Sequence, residues 1–255
     1  MKRLLLCIAC LFALTFVSSR AAIIEVAPAG AWGVLGISGG TPPAGGGGTA
    51  ELTGTPTALT FNQNIDPAAQ DVTVPSDATA VFIFWSFWDN EDGTGISTIT
   101  LESVAYDEMY EITSLASNYI PALGVAAWYN PGTGADQTVD LAWTSALNEG
   151  PNVFVVYAKG VNTSGWRHAI GNNDDSGPSA TVNTNSSDLV LKIDKRYGDT
   201  APGTSAGWTS KQIHEANVSS SARLSQCDSP GAATTVAGVE DESDSGVVAI
   251  SIAPE

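Results

Sequence analysis

The sequence predicts an all-β protein, a two-sheet antiparallel sandwich of jelly-roll type. Three observations lead there. Beyond residue 50, short runs rich in Val, Thr, Ile and aromatic residues are separated by clusters of Gly, Pro, Asn, Asp and Ser, the pattern of strands and turns. No stretch sustains a helical period. Some runs are apolar on both faces, which suits only strands covered on both sides.

The chain opens with a basic Met1-Lys2-Arg3, a nearly apolar run from Leu4 to Val17, and small residues around a cut after Ala21. This is the layout of a secretory signal peptide over 1–21. Its apolar run is too short to span a bilayer comfortably. No second such run follows, so the expectation is a secreted, extracellular protein without membrane insertion. Residues 22–49 hold a strand candidate over 22–27, a second apolar piece over 32–37, and a Gly/Pro-rich linker from Gly39 to Gly48.

Residues 50–255 are expected to form the sandwich domain. Its strands are expected at 56–61, 70–74, 79–88, 96–105, 108–115, 122–129, 137–144, 152–158, 179–184, 187–194, 206–215, 219–225, 232–238 and 246–252. Within 137–144 the alternation is clean, with Val139, Leu141 and Trp143 on one face. Val81-Phe82-Ile83-Phe84-Trp85 and Val153-Phe154-Val155-Val156-Tyr157 are apolar on both faces. Such strands sit centrally, or have one face covered by a loop or by another chain.

The formal charge is −17. Lys2, Arg3 and Arg20 lie in the leader and no acid does, so the exported part carries −20. From Ala22 to Ala158 there are 15 acidic residues and no Lys or Arg. Such a field repels nucleic acid and anionic lipid, and both are excluded as partners. Cys7 and Cys10 fall in the leader, which leaves Cys227 alone and rules out an intramolecular disulfide in the exported part.

One series of segments carries a resemblance. It runs Ile96 to Leu101, Val125-Ala126-Ala127-Trp128-Tyr129-Asn130-Pro131-Gly132-Thr133-Gly134, Thr138 to Trp143, Asn152 to Val161, Asp188 to Leu191 and Val247 to Pro254. In these strands and turns the chain resembles a poorly characterised β-sandwich domain of secreted bacterial and phage structural proteins, over residues 70–254. The resemblance implies fold and extracellular context, and brings no catalytic residue.

Motifs for chemistry are weak. Gly36-Ile37-Ser38-Gly39-Gly40 matches a nucleophile elbow, but the Thr41-Pro42-Pro43 that follows cannot open the helix the motif needs. Glu108 and Glu111 are the closest carboxylate cluster, yet their spacing puts them on opposite faces of a strand. His168 and His214 lack metal-ligand spacing and are expected at surfaces or edges. Asp89-Asn90-Glu91-Asp92-Gly93 sets oxygen ligands ahead of a glycine as calcium loops do, which nominates Asp89, Glu91 and Asp92 for a structural calcium. Gly171-Asn172-Asn173-Asp174-Asp175 reads as a similar acidic turn. Trp166 and Trp208 lie in loop-like contexts and are nominated as ligand-binding platforms for a sugar.

The leading expectation is therefore a secreted, non-catalytic structural or surface protein. The strand in 22–37 would add to the edge of its own sheet or, if the protein self-associates, to a neighbour's sheet. The alternatives are a carbohydrate-binding module using Trp166 or Trp208 on a cell-surface glycan, and a secreted polysaccharide-acting enzyme. No cofactor beyond structural calcium is expected.

Overall fold

A computed structural model describes residues 48–255 except 67, 90, 115–120, 175–176, 198–201, 218–219 and 239–244. The leader and the strand candidates within 22–37 lie outside the described residues. Every regular element among those described is a β-strand, and every pairing is antiparallel. The all-β sandwich is borne out, and its layering goes beyond one pair of sheets.

The central sheet contains β1 (Glu51–Leu52), β2 (Thr57–Thr60), β4 (Ala80–Phe87), β7 (Glu108–Ile112), β8 (Ala122–Tyr129) and β10 (Asn152–Lys159). Its order is β1-β10-β4-β8-β7, with β2 also paired to β10. β1 pairs near Lys159 and β2 near Asn152, so the two lie end to end along one edge of β10. A second sheet has the order β3-β9-β5-β6, from β3 (Gln70–Thr73), β9 (Asp136–Trp143), β5 (Ile96–Leu101) and β6 (Val104–Ala105). A third has the order β11-β17-β13-β15-β14, from β11 (His168–Asp174), β17 (Ser245–Ile252), β13 (Leu189–Tyr197), β15 (Ser220–Cys227) and β14 (Trp208–Asn217). A two-stranded sheet pairs β12 (Ser179–Asn183) with β16 (Thr234–Gly238).

Three apolar clusters fill the spaces between these four sheets. On one face of β4, Val81, Ile83, Trp85 and Phe87 meet Ile99, Leu101, Val139, Leu141 and Trp143 of the second sheet. The Phe87 and Trp143 rings lie 5.2 Å apart there. On the other face, Phe82 and Phe84 join Phe154 and Val156 against Leu191, Ile193, Val248 and Ile250 of the third sheet. The far side of the third sheet offers Val190, Val247, Ala249 and Trp208, which pack on Ala180, Val182 and Ala237 of the two-stranded sheet. The period of two in β4 thus feeds two cores from one strand. The strands expected to need cover on both faces receive it from sheets of this same chain.

Two sequence expectations change. The single strand expected over 96–105 is a hairpin, because Glu102 and Ser103 adopt φ of 51° and 62° and turn the chain between β5 and β6. The Glu102 carboxylate holds that turn by accepting the Thr138 N–H at 2.6 Å. The acidic turn expected over 171–175 belongs in large part to edge strand β11, paired with β17 from His168 to Asp174. Its Gly-Asn-Asn-Asp sequence reads as a turn, but pairing with an apolar partner strand overrides local preference.

Gly124 shows how tightly the first cluster is packed. It pairs with Trp85, and a Cβ placed on it would lie 2.2 Å from Trp85 Cζ2. Gly124→Ala is therefore expected to destabilise the protein by about 1–3 kcal/mol through overpacking. Urea unfolding measures this, and an unchanged midpoint would contradict the ring's placement over the glycine.

Candidate functional site

The acidic loop after β4 is latched inward. Asp89 is 1% exposed. Its Oδ2 accepts from Thr94 Oγ1 at 2.7 Å and Ser145 Oγ at 3.2 Å, and its Oδ1 accepts from Asn148 Nδ2 at 2.6 Å. Glu91 and Asp92 are exposed. The Glu91 carbonyl accepts Ser114 Oγ at 2.7 Å, and the Gly93 N–H donates to the Ser114 carbonyl at 2.9 Å. The structure turns Asp89 toward hydroxyls and an amide from its own loop and from the loop after β9, while Glu91 and Asp92 remain at the surface. Among the described residues, no three His, Cys, Asp or Glu side chains converge as a metal-binding group.

The two nominated tryptophans lie on opposite faces of the third sheet. Trp166 is half-buried and packs against the cluster between the central and third sheets. Trp208 opens β14, is 5% exposed, and belongs to the cluster on the far side. Its Nε1 donates to the Val236 carbonyl at 3.3 Å, and Lys192 Nζ sits 4.9 Å from the ring centroid. The cation thus occupies a ring face from inside the protein. Trp208 helps line a shallow, open groove of about 330 Å³ together with Cys227, Asp228, Thr234, Thr235 and Val236. Val236 is 62% exposed, the most apolar feature that groove presents to solvent.

Strand β7 carries two carboxylates into different layers, as its spacing implies. Glu108 Oε2 accepts the Tyr129 hydroxyl at 2.9 Å and the Trp166 N–H at 2.8 Å. Burial raises the Glu108 carboxyl and, together with the Glu108 charge, raises the Tyr129 phenol. Glu111 accepts from Trp85 Nε1 at 3.1 Å and the Ile96 N–H at 2.8 Å. Burial raises Glu111 to about 7 against the opposing pull of these two bonds. Both carboxylates tie β7 to neighbouring elements.

Both histidines lie on edge strands of the third sheet, as expected, with their rings partly or wholly enclosed. His168 is buried, and its Nδ1 accepts the Asn183 N–H at 3.1 Å. Burial lowers its pKa, so the neutral ring is favoured. His214 is half-buried and packs edge-on to Phe154, with centroids 6.1 Å apart. Burial, then the charge of Lys195, lowers its pKa.

The groups that sequence reasoning missed are two lysines on β13, each 0% exposed. Lys192 faces the outer cluster. Its Nζ lies 2.9 Å from Asp194 Oδ2 and donates to Ser205 Oγ at 2.8 Å and to the Gly238 carbonyl. Burial raises Asp194 to about 6, against the pull of Lys192. Lys195 faces the inner cluster, and its Nζ donates to Ser220 Oγ at 2.9 Å. The same oxygen accepts Asn152 Nδ2 at 3.0 Å and donates to the Gly150 carbonyl at 2.6 Å. Burial pushes Lys195 down to about 7, with Glu149 pulling the other way. Leu189-Val190-Leu191 is apolar on both faces, which was the available signal that charges further along β13 fall on faces already committed to packing.

No protein-family model matches the chain, and neither a curated protein nor a solved structure matches it.

Removing the Asp89 carboxylate strands three donors, so Asp89→Ala is expected to destabilise by about 1–3 kcal/mol. The loss should be the same with and without EDTA. A loss that EDTA alone reproduces in the wild type would instead place an ion in this loop.

Glu111 sets a pH dependence. Its folded pKa of about 7 exceeds the ordinary 4.5, so the folded state binds the extra proton between those values. Its contribution to stability is present below 4.5 and is lost as pH rises through about 7. Asp194, raised to about 6, acts in the same direction. Glu111→Gln should flatten the rise in melting temperature expected on acidifying from neutrality. An identical slope in the variant would show that the carboxyl is not protonated in the folded protein.

Proposed function

We propose that the chain is a secreted, non-catalytic structural or surface protein that self-associates through a strand in 22–37. The observation that carries this reading is the distribution of its chemistry-bearing groups. Asp89, Glu108, Glu111, His168 and Lys192 each bond to other parts of the fold, while buried Asp194 is ion-paired to Lys192 on its own strand. The result is a stack of sheets held by three apolar clusters rather than a cleft with convergent, accessible groups.

Charge supports the same reading. Arg167 is engaged with Asp188 at 2.6 Å, while Lys192 and Lys195 are buried. These three cations are withdrawn from the surface together with the acids that face them, Asp188, Asp194 and Glu149, so the surface keeps the acidic excess of the sequence. Such a surface suits a soluble extracellular particle and repels polyanions. Among the described residues, no helix is long and apolar enough to cross a membrane.

Negative-stain microscopy of the secreted protein tests this function. Regular assemblies are expected, and deletion of residues 22–48 should leave monodisperse monomers by size exclusion. A wild-type protein that is only monomeric, or assembly unchanged by the deletion, would refute the self-association. Release of reducing sugar that is abolished by Glu108→Gln would refute the non-catalytic reading.

A further inference from the structure

Two side chains of different sheets converge on one buried oxygen. Lys195 comes from β13 of the third sheet and Asn152 from the first position of β10 in the central sheet. Both are 0% exposed, as is Ser220. Ser220 Oγ accepts Lys195 Nζ at 2.9 Å and Asn152 Nδ2 at 3.0 Å, which holds the amine and the carboxamide within two hydrogen-bond lengths of each other. With its proton given to the Gly150 carbonyl, the hydroxyl is fully used. Asn152 Oδ1 is buried without a hydrogen-bond partner, so this amide is poorly satisfied where it stands. Glu149, three residues before Asn152 and also buried, is the carboxylate whose charge acts on Lys195. His214 is the other titratable group whose charge interaction with Lys195 is resolved.

A buried amine, a buried carboxamide and a neighbouring carboxyl are the reactants and the proton carrier of an amide exchange. We propose that Lys195 and Asn152 join in an intramolecular isopeptide bond that links the central sheet to the third sheet, with Glu149 transferring the proton. Lys195 Nζ, as the free amine, attacks Asn152 Cγ. One N–C bond forms and the Cγ–Nδ2 bond breaks. Nζ gives up one proton, Glu149 passes one to Nδ2, and Nδ2 departs as ammonia. No oxidant, reductant or other reactant is consumed. The site favours the step in three ways. Desolvation lowers Lys195 to about 7, so a large share of the amine is neutral and nucleophilic at neutral pH. Packing supplies proximity that a solution reaction lacks. Exclusion of water protects the amide from hydrolysis.

This inference stands apart from the self-association reading, because it concerns one folded chain. Its test is the intact mass of the secreted, processed protein under denaturing conditions. The expected value is lower than that of the processed sequence by one ammonia. Proteolysis should then yield a branched peptide joining the segment around Asn152 to that around Lys195. Lys195→Arg and Asn152→Ala should each restore the full mass. Glu149→Gln should leave uncrosslinked chain that the wild type lacks at the same age. A wild-type protein of full mass whose two peptides are linear would overturn the proposal. So would loss of ammonia without a branched peptide, which marks cyclisation of an amide elsewhere. Because the wild-type peptide map decides between these results, a variant that fails to fold does not weaken the test.

Discussion

Strand β4 carries large apolar side chains on both of its faces, and the rest of the architecture follows from covering them. Val81, Ile83, Trp85 and Phe87 point one way, and Phe82 and Phe84 the other. Leaving either set in water would forfeit about 1.5–3 kcal/mol for each large side chain. The second and third sheets therefore sit on opposite sides of the central one. The third sheet inherits the same requirement, since β13 and β17 cover Phe82 and Phe84 with one face and present Val190, Val247 and Ala249 on the other. The stack ends where strands finally alternate. β9 has buried Val139, Leu141 and Trp143 on its inner face, with exposed Asp136 and Asp140 on its outer face. β12 repeats the pattern with Ala180 and Val182 inside and Ser179, Thr181 and Asn183 outside.

The interior charges are a consequence of that layering. β13 reads Leu-Val-Leu-Lys-Ile-Asp-Lys from Leu189 to Lys195, and both of its faces are interior. A charge on such a strand has no route to water, so it must find partners within the space between sheets. Lys192 and Asp194 point into the same space two residues apart and neutralise each other. Lys195 points the opposite way, where Ser220 and Asn152 supply hydrogen-bonding groups and Glu149 the opposing charge. Desolvation offsets much of the Coulombic gain of such buried pairs, so their presence is weak evidence of added stability.

Much of this was legible in the sequence, at the level where period and composition decide. The strand at 122–129 agrees with Ala122–Tyr129, and the expected need for cover on both faces of 79–88 and 152–158 was real. The number of layers was not legible, because a two-faced apolar strand says that it is covered and not by what. β11 was hidden because its residues favour turns and only its pairing with β17 makes it a strand. The candidate sites were legible only as residue types. Asp89 suits a calcium ligand by spacing, but the distant Ser145 and Asn148 orient its carboxylate. Trp208 falls within the strand expected over 206–215, and its burial depends on β12 and β16 closing over the third sheet. The convergence of Lys195 and Asn152 on Ser220 spans two sheets, and no local pattern announces it.

The two sheets joined at that point have no shared strand ladder. At one end of β10 they are connected by the isolated bridge between Val161 and Pro254, with Asn162 and Glu255 N–H groups donating to the Ala253 and Gly160 carbonyls. At the other end stand Asn152, Ser220 and Lys195. Along β10 between these ends the contact is side-chain packing, which resists separation only while the layers stay in contact, and on the β7 side the Gly171 N–H donates to the Tyr110 hydroxyl at 2.9 Å. Cys227 is the one cysteine in residues 22–255, so no disulfide within them can bind the layers. A covalent tie between residues 152 and 195 would close a loop of the length for which chain-entropy arithmetic gives about 4 kcal/mol. Its position matters more than that figure. Placed at the end of β10 that lacks the main-chain bridge, it would hold both ends of the interface, and prying the sheets apart would then require breaking a bond rather than opening a seam.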